Sequence, residues 1–137
     1  MIVPQSEWEK IASHAKETYP LECIGLLLGR FDGGGEVSLV RPAHNLKTEL
    51  DRYELDPLDF ITAEEEAEKK GLEIIGFYHS HPDDRPHPSA YDRERAWEEY
   101  FYLIISVWKG IPGEAKVWVF DPVKKDFREK DLVIERR

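Results

Sequence analysis

The sequence predicts an α/β protein in which helices flank a single mixed β-sheet. Segments with helical periodicity alternate along the chain with short segments that are almost entirely apolar. The most apolar of these short segments, residues 23–30 and 101–108, are typical of strands that are covered on both faces. No internal repeat, low-complexity tract or linker divides the 137 residues, so we expect one domain covering residues 1–137.

Three helices are predicted, and their ends carry the usual signals. The first begins with the capping-box spacing of residues 6–9. The second has Asp56 as its N-cap before a proline and ends at Gly71. The third begins at Ser89, where Ser89 and Asp92 again have capping-box spacing. The predicted helices cover residues 6–18, 57–70 and 89–100.

Seven strands are predicted from apolar or alternating segments. The first two should form a hairpin, because the glycine-rich turn at residues 32–35 separates them. The strand that ends at His81 is expected beside the strand that follows Glu22. The predicted strands cover residues 23–30, 36–42, 52–57, 72–81, 101–108, 115–120 and 126–135.

Charge and composition limit the expected partners, disulfide content and location of the protein. The chain has 19 Lys and Arg against 28 Asp and Glu, a net charge of −9, and a surface this acidic repels the phosphate backbone of nucleic acids. A single cysteine, Cys23, excludes an intrachain disulfide and fits a reducing compartment. No apolar run is long enough to span a membrane, and no signal peptide is recognisable, so a cytoplasmic location is expected. The oligomeric state is not predicted.

The segment GFYHSHPDDRPHPSAYD, which starts at residue 76, is rich in potential metal ligands. Alternate residues of a strand point to the same face, so His79 and His81 should lie together with Phe77 and Ile75. Asp92, at the start of the third helix, could supply a third ligand. Two histidines, a carboxylate and one open position are typical of catalytic zinc, although other divalent ions also fit this ligand set.

Each of these residues also has a simpler interpretation. Two histidines at a strand end are often surface residues, and Ser89 and Asp92 could serve only as a capping box. Asp83 and Asp84 are typical turn residues beside a proline. His87 lies between two prolines and is expected to be exposed.

A metal-dependent hydrolase also needs a general base, and Glu22 is the best candidate. It directly precedes the apolar strand 23–30, where a carboxylate is costly to place. The alternative is that Glu22 is an exposed residue of a helix-to-strand turn. Position alone does not decide between these two interpretations.

Taken together, these residues resemble the JAMM motif of the JAB1/MPN/Mov34 metallopeptidases. That motif has an upstream Glu, a His-Ser/Thr-His-Pro segment and then Ser-x-x-Asp at a fixed spacing. The sequence around Glu22 and the order of helices and strands are also similar, so the resemblance covers nearly the whole chain. It implies the cytidine-deaminase-like JAB1/MPN fold and is closest to the compact prokaryotic branch. The matching residues are Glu22, His79, Ser80, His81, Pro82, Ser89 and Asp92.

The resemblance also implies a role for each matching residue. Glu22 would take a proton from the attacking water and deliver it to the leaving amine. Ser89 would donate a hydrogen bond to the oxyanion. Ser80 would support the metal ligands without binding the metal itself. The implied ligands of one Zn²⁺ ion are His79, His81 and Asp92.

The activity implied by the resemblance is hydrolysis of an amide or isopeptide bond without a covalent intermediate. The implied substrate is the C-terminal tail of a ubiquitin-like or sulfur-carrier protein. Two alternatives remain open: a catalytically silent MPN scaffold module, and a zinc amidase acting on small molecules. The complete set of motif residues disfavours the scaffold.

Overall fold

The computed structural model describes residues 1–49 and 52–136. Within these residues, eight strands form one mixed sheet in the order β7-β6-β5-β4-β2-β3-β1-β8, and three α-helices flank it, which confirms the predicted fold class. The strands are β1 (Ile2–Pro4), β2 (Ile24–Arg30), β3 (Glu36–Ala43), β4 (Glu73–Pro82), β5 (Phe101–Trp108), β6 (Ile111–Asp121), β7 (Asp126–Lys130) and β8 (Val133–Glu135). The helices are α1 (Gln5–Thr18), α2 (Pro57–Lys69) and α3 (Ala90–Glu94).

The sheet combines antiparallel and parallel neighbours. Strand β2 lies between β3 and β4 and is antiparallel to both, so the predicted hairpin and the predicted pairing of the site strands are confirmed. Strands β4 and β5 are parallel, and β5, β6 and β7 form an antiparallel meander. At the other edge, β1 is parallel to both β3 and β8.

The sheet curls so that its two edges approach each other. Only two residues separate the end of β7 from the start of β8, yet these strands are the opposite edges of the sheet. A connection of that length spans at most about 11 Å. The prediction of one strand over residues 126–135 is therefore wrong, because its two halves form the opposite edges of the sheet, β7 beside β6 and β8 beside β1.

The core lies on both faces of the sheet. One cluster packs under α1 and the other under α2. Strand β4 supplies both clusters, with Phe77 on the α2 side and Tyr78 on the α1 side. Gly76 and Ile74 pair with consecutive residues of β2, so Ile75 between them forms a β-bulge without a partner in β2. The bulge turns Ile75 to the α1 side. The prediction that Ile75 shares a face with Phe77 is therefore wrong.

Two of the three helix starts follow the predicted caps. Asp56 caps α2 and accepts a hydrogen bond from the Leu58 amide at 3.0 Å. Helix α1 instead begins after Pro4 and has no side-chain cap, so the predicted capping box at residues 6–9 is wrong. Glu7, the second residue of that box, is buried, and its carboxylate accepts a hydrogen bond from the Val40 amide of β3 at 3.1 Å.

Two further predicted elements are wrong: one helix is shorter than predicted and one strand does not form. Helix α3 has five residues and stops before residue 95. Beyond it, the Trp97 amide donates to the Tyr102 hydroxyl at 2.7 Å, which favours a turn over another helical turn. Residues 52–57 do not form a strand: Leu55 makes one isolated bridge with Asn45, and Pro57 already belongs to α2. No helix among the described residues is long and apolar enough to cross a membrane.

Candidate active site

The candidate site lies where β2 begins and β4 ends. Because these strands are antiparallel and Ile24 pairs with His79, Glu22 lies beside the end of β4. The ligand atoms of Glu22, His79 and His81 all lie within 4.8 Å of one another. Asp92, in the first turn of α3, reaches the same point. All four side chains are buried, with at most 6% of each residue exposed.

The two histidines and Asp92 form a set that fits a metal ion. Asp92 Oδ1 lies 3.3 Å from His79 Nε2, and Asp92 Oδ2 lies 3.2 Å from His81 Nε2. These separations match the edge of a tetrahedron whose ligand bonds are about 2.0–2.1 Å. His81 Nδ1 donates to the Arg85 carbonyl at 2.9 Å, which leaves the Nε2 lone pair for a metal.

The buried ring nitrogens of His79 give a second test of whether the site fits a metal ion. Both of its ring nitrogens are buried, and no hydrogen bond from the described residues reaches either one, although Nε2 lies 3.3 Å from Asp92 Oδ1. A buried polar atom without a partner is costly. A divalent cation between the histidines and Asp92 would satisfy Nε2, so the residues present fit a zinc ion.

The electrostatics of the cluster favour an added positive charge. Burial lowers the pKa of His79 and outweighs the opposing effect of Asp92. Burial also opposes protonation of His81, but the Asp92 carboxylate outweighs it and raises the pKa of His81. Burial disfavours ionised Asp92, yet the two imidazoles hold its pKa well below the usual range. The ionised carboxylate therefore draws positive charge to this point, as a proton or as a metal ion.

Ser89 and Asp92 form the predicted capping box of α3. Ser89 Oγ accepts a hydrogen bond from the Asp92 amide at 3.1 Å, and the Ser89 amide donates to Asp92 Oδ2 at 2.8 Å. The same carboxylate faces both histidines. Capping and metal binding by Asp92 are therefore compatible, because the cap fixes the direction in which the carboxylate points.

Ser80 connects the two strands behind the histidines. Its hydroxyl accepts a hydrogen bond from the Cys23 amide at 2.8 Å, and its own amide donates to the Cys23 carbonyl at 3.3 Å. Cys23 directly follows Glu22, so Ser80 fixes the backbone that carries the candidate base. Burial raises the pKa of the Cys23 thiol to about 12, which keeps it protonated and inert.

The remaining polar residues of the proline-rich loop lie outside the cluster. Asp83 has φ of 54° and accepts hydrogen bonds from the Tyr19 hydroxyl at 2.6 Å and the Lys109 amide at 2.7 Å, which is a turn role as predicted. The carboxylate of Asp84 accepts from the amide that follows it. His87 is half-buried, with its ring centroid 5.3 Å from that of Trp118, so it is less exposed than predicted.

The sequence-based interpretation missed three residues that surround the cluster. The Asn45 side chain donates to the Glu22 carbonyl at 2.9 Å. The Tyr53 ring lies against His79 with a centroid distance of 4.5 Å. The Tyr91 hydroxyl donates to the Tyr53 carbonyl at 2.6 Å. The strand predicted over residues 52–57 gives no indication that Tyr53 contacts His79.

A largely apolar cavity of about 470 Å³ opens beside His79. Tyr53 forms part of its wall and also contacts His79, so the cavity and the cluster are adjacent. The charged residues Glu54 and Arg95 also line it. The main apolar lining residues are Ile24, Leu55, Phe60, Phe77, Trp97 and Tyr102.

Residues 4–121 match the family model described as prokaryotic homologs of the JAB domain. The chain belongs to this family. The chain is 37% identical over 133 residues to a desampylase of Haloferax volcanii, a match that covers 93% of this chain and 91% of the relative. It is 34% identical over 99 residues to a probable TtuB-protein conjugate cleaving protease of Thermus thermophilus, covering 71% and 64%.

Solved structures share the fold of this chain. The solution structure of a protein from Desulfitobacterium hafniense has a TM-score of 0.87 at 30% identity and covers all of this chain and 94% of that one. A JAB1/MPN domain protein of Archaeoglobus fulgidus has a TM-score of 0.62 at 19% identity, over 97% and 99% of the two chains, and shares the fold. This JAB-domain protein is thus a JAMM-type hydrolase by family.

Proposed function

We propose that this JAB-domain protein is a zinc-dependent isopeptidase that hydrolyses an amide bond at the C-terminal tail of a ubiquitin-like or sulfur-carrier protein. The observation that carries the proposal is the convergence of the His79 and His81 Nε2 atoms on Asp92, with Glu22 at the same point. The names of the two relatives, a desampylase and a conjugate cleaving protease, support the choice of substrate class.

In this proposal His79, His81 and Asp92 hold one Zn²⁺ ion. The bound ion would act as a Lewis acid that lowers the pKa of a water molecule towards neutrality. The protein supplies the ligand geometry through the end of β4 and the capped first turn of α3.

Glu22 and Ser89 would handle the proton and the developing charge. The Glu22 carboxylate is 4% exposed and lies within 4.8 Å of the histidine nitrogens, where it can take a proton from water and deliver it to the leaving nitrogen. The Ser89 hydroxyl accepts from the Asp92 amide, so its hydrogen remains to donate to an oxyanion. Ser89 lies at the exposed edge of the site, as a group that meets substrate must.

The apolar cavity beside His79 would accommodate the residues of the tail that precede the cleaved bond. Its walls are apolar apart from Glu54 and Arg95, so an apolar side chain of the tail would gain most from entering it. Trp97 is 56% exposed in this structure and would lose exposed surface when a tail binds. Binding energy gained there would help to place the scissile bond at the metal.

A conjugate assay tests the proposal. The substrate is a ubiquitin-like protein whose C-terminal Gly-Gly is joined to a lysine of a second protein, and cleavage is measured with the wild type, Glu22→Gln and the control Glu65→Gln. Glu65 is an exposed residue of α2, so Glu65→Gln makes the same charge change away from the site. We expect Glu22→Gln to bind zinc normally and to cleave about 10²–10⁴-fold more slowly, and Glu65→Gln to match the wild type.

Three outcomes would contradict parts of the proposal. If Glu22→Gln cleaves at the wild-type rate, Glu22 is not the base. If the zinc-loaded wild type hydrolyses small amides but no protein tail, the protein is a small-molecule amidase. If it binds zinc and hydrolyses neither, the domain acts as a scaffold.

A further inference from the structure

The side chain of Asn45 makes four hydrogen bonds, which is the full capacity of an amide group. Its Nδ2 atom donates to the carbonyls of Glu22 at 2.9 Å and Arg52 at 3.1 Å. Its Oδ1 atom accepts from the amides of Lys47 and Glu54, both at 2.9 Å. One side chain thus joins both arms of the loop between β3 and α2 to the backbone of the candidate base.

The peptide group between Glu22 and Cys23 is held from both sides. Its carbonyl accepts from Asn45 Nδ2, and its N–H donates to Ser80 Oγ at 2.8 Å. Both polar atoms of this peptide are therefore bound by side chains from other segments, one before α2 and one in β4. Glu22 precedes β2 and lies outside its strand register, and these two bonds hold the peptide group that directly follows its Cα.

The loop that Asn45 holds also contacts the site directly. Tyr53 stacks against His79, and Tyr53, Glu54 and Leu55 line the apolar cavity. A separate hydrogen bond, from the Tyr91 hydroxyl to the Tyr53 carbonyl, ties this part of the loop to α3. The Asn45 side chain thus bonds to both the Glu22 backbone and the loop, whereas the Tyr91 hydroxyl bonds to the loop.

We propose that Asn45 is a positioning residue: its Nδ2 donor fixes the Glu22 backbone so that the carboxylate faces the two histidines, and its Oδ1 acceptor fixes the cavity wall. The kinetic consequence of this proposal rests on the isopeptidase function proposed above. Its structural consequence, the location of the Glu22 carboxylate, does not depend on any activity.

Two variants separate the two halves of this role. Asn45→Asp keeps the acceptor for Lys47 and Glu54 and loses the donors to the carbonyls of Glu22 and Arg52. Tyr91→Phe weakens the same loop and keeps the bond to Glu22. We expect Asn45→Asp to lower kcat by about 10-fold or more, because a misplaced catalytic group reacts slowly. We expect Tyr91→Phe to keep kcat and to raise KM by about 2- to 10-fold, the effect of one lost hydrogen bond.

A third variant controls for the charge that aspartate adds. Asn45→Ala introduces no charge and loses all four bonds, so it should lower kcat as Asn45→Asp does and also raise KM as Tyr91→Phe does. If kcat falls only in Asn45→Asp, added charge and not lost positioning is responsible. If Asn45→Asp and Tyr91→Phe change kcat and KM alike, Asn45 acts only through the loop. Either result overturns the proposal.

Crystal structures of the wild type, Asn45→Asp and Tyr91→Phe give the readout that is independent of activity. We expect the Glu22 carboxylate to move beyond 4.8 Å from the histidine nitrogens in Asn45→Asp and to stay within that distance in Tyr91→Phe. An unmoved Glu22 in Asn45→Asp overturns the proposal. If the wild type cleaves no tail, the proposed function fails, and the crystal structures still decide the role of Asn45.

Discussion

Replacing Gly25 with alanine is expected to destabilise the sheet where the two strands of the site meet. A Cβ atom at Gly25 would lie 2.1 Å from Cε2 and Cζ of Tyr78 and 2.4 Å from its hydroxyl oxygen. Gly25 pairs with Tyr78, directly beside the pair of Ile24 and His79. Tyr78 is fully buried, so its ring cannot move without displacing β2 or the α1 side of the core.

The cost follows from two contributions. Inserting a methyl group into a packed core costs about 1–3 kcal/mol. Displacing the Tyr78 ring also breaks its 2.7 Å hydrogen bond with His14 Nδ1, which contributes about 0.5–1.5 kcal/mol. Together, Gly25→Ala should lower the free energy of unfolding by about 1.5–4.5 kcal/mol, a large share of the roughly 5–15 kcal/mol that stabilises a domain.

Urea unfolding of Gly25→Ala and a matched control measures this effect. The control is Gly113→Ala in β6, where an added Cβ has no atom within 4 Å, so it should leave the free energy of unfolding nearly unchanged. Displaced strands should also slow hydrolysis in Gly25→Ala, because Glu22 and His79 flank the clash. A difference of less than about 1 kcal/mol between the two variants would refute the packing described here.

Three further changes give distinct expectations. Asp92→Asn should weaken zinc binding at least about 100-fold by titration calorimetry, because a ligand that also orients the site loses its charge. An unchanged affinity would exclude Asp92 as a ligand. Trp97→Ala should raise KM about 10-fold, because the tail loses apolar contact. Trp108 is similarly exposed but lies outside the cavity, so Trp108→Ala should leave KM unchanged. Equal effects of the two substitutions would place the tail elsewhere. The hydrogen bond from Arg41 lowers the pKa of Glu66, so this pair stabilises the fold above about pH 4.3, the unfolded-state pKa of Glu, and the stabilisation is lost as the pH falls through the folded-state pKa. Arg41→Gln should therefore cost about 0.5 kcal/mol at pH 7 in urea unfolding, and this deficit should shrink as the pH falls through the folded-state pKa. A deficit that stays constant on acidification would contradict this.

Local patterns were sufficient to predict the strands that carry the site. The apolar run that ends in His-Ser-His-Pro fixes both the position of β4 and the shared face of His79 and His81, because a strand repeats every two residues. The capping box of Ser89 and Asp92 likewise depends on residues three apart. The motif spacing therefore identified the residues that the structure brings together.

Errors occurred where distant contacts override local preference. The bulge at Ile75 depends on the register with β2, nearly fifty residues earlier, and no local signal marks it. Helix α3 stops at Glu94 although the sequence favours a longer helix, and beyond it the Trp97 amide bonds to the Tyr102 hydroxyl. No sequence pattern marks Asn45, because its role depends on the Glu22 carbonyl, which lies 23 residues away.

The metal content of the purified protein tests the central claim most directly. We expect elemental analysis, after zinc loading and dialysis, to find about one zinc per chain in the wild type and in Glu22→Gln, and almost none when both His79 and His81 are replaced by alanine. Chelation should abolish cleavage of the conjugate, and added zinc should restore it. Wild-type protein that holds no stoichiometric divalent metal, or that cleaves the conjugate fully after chelation, would contradict the account.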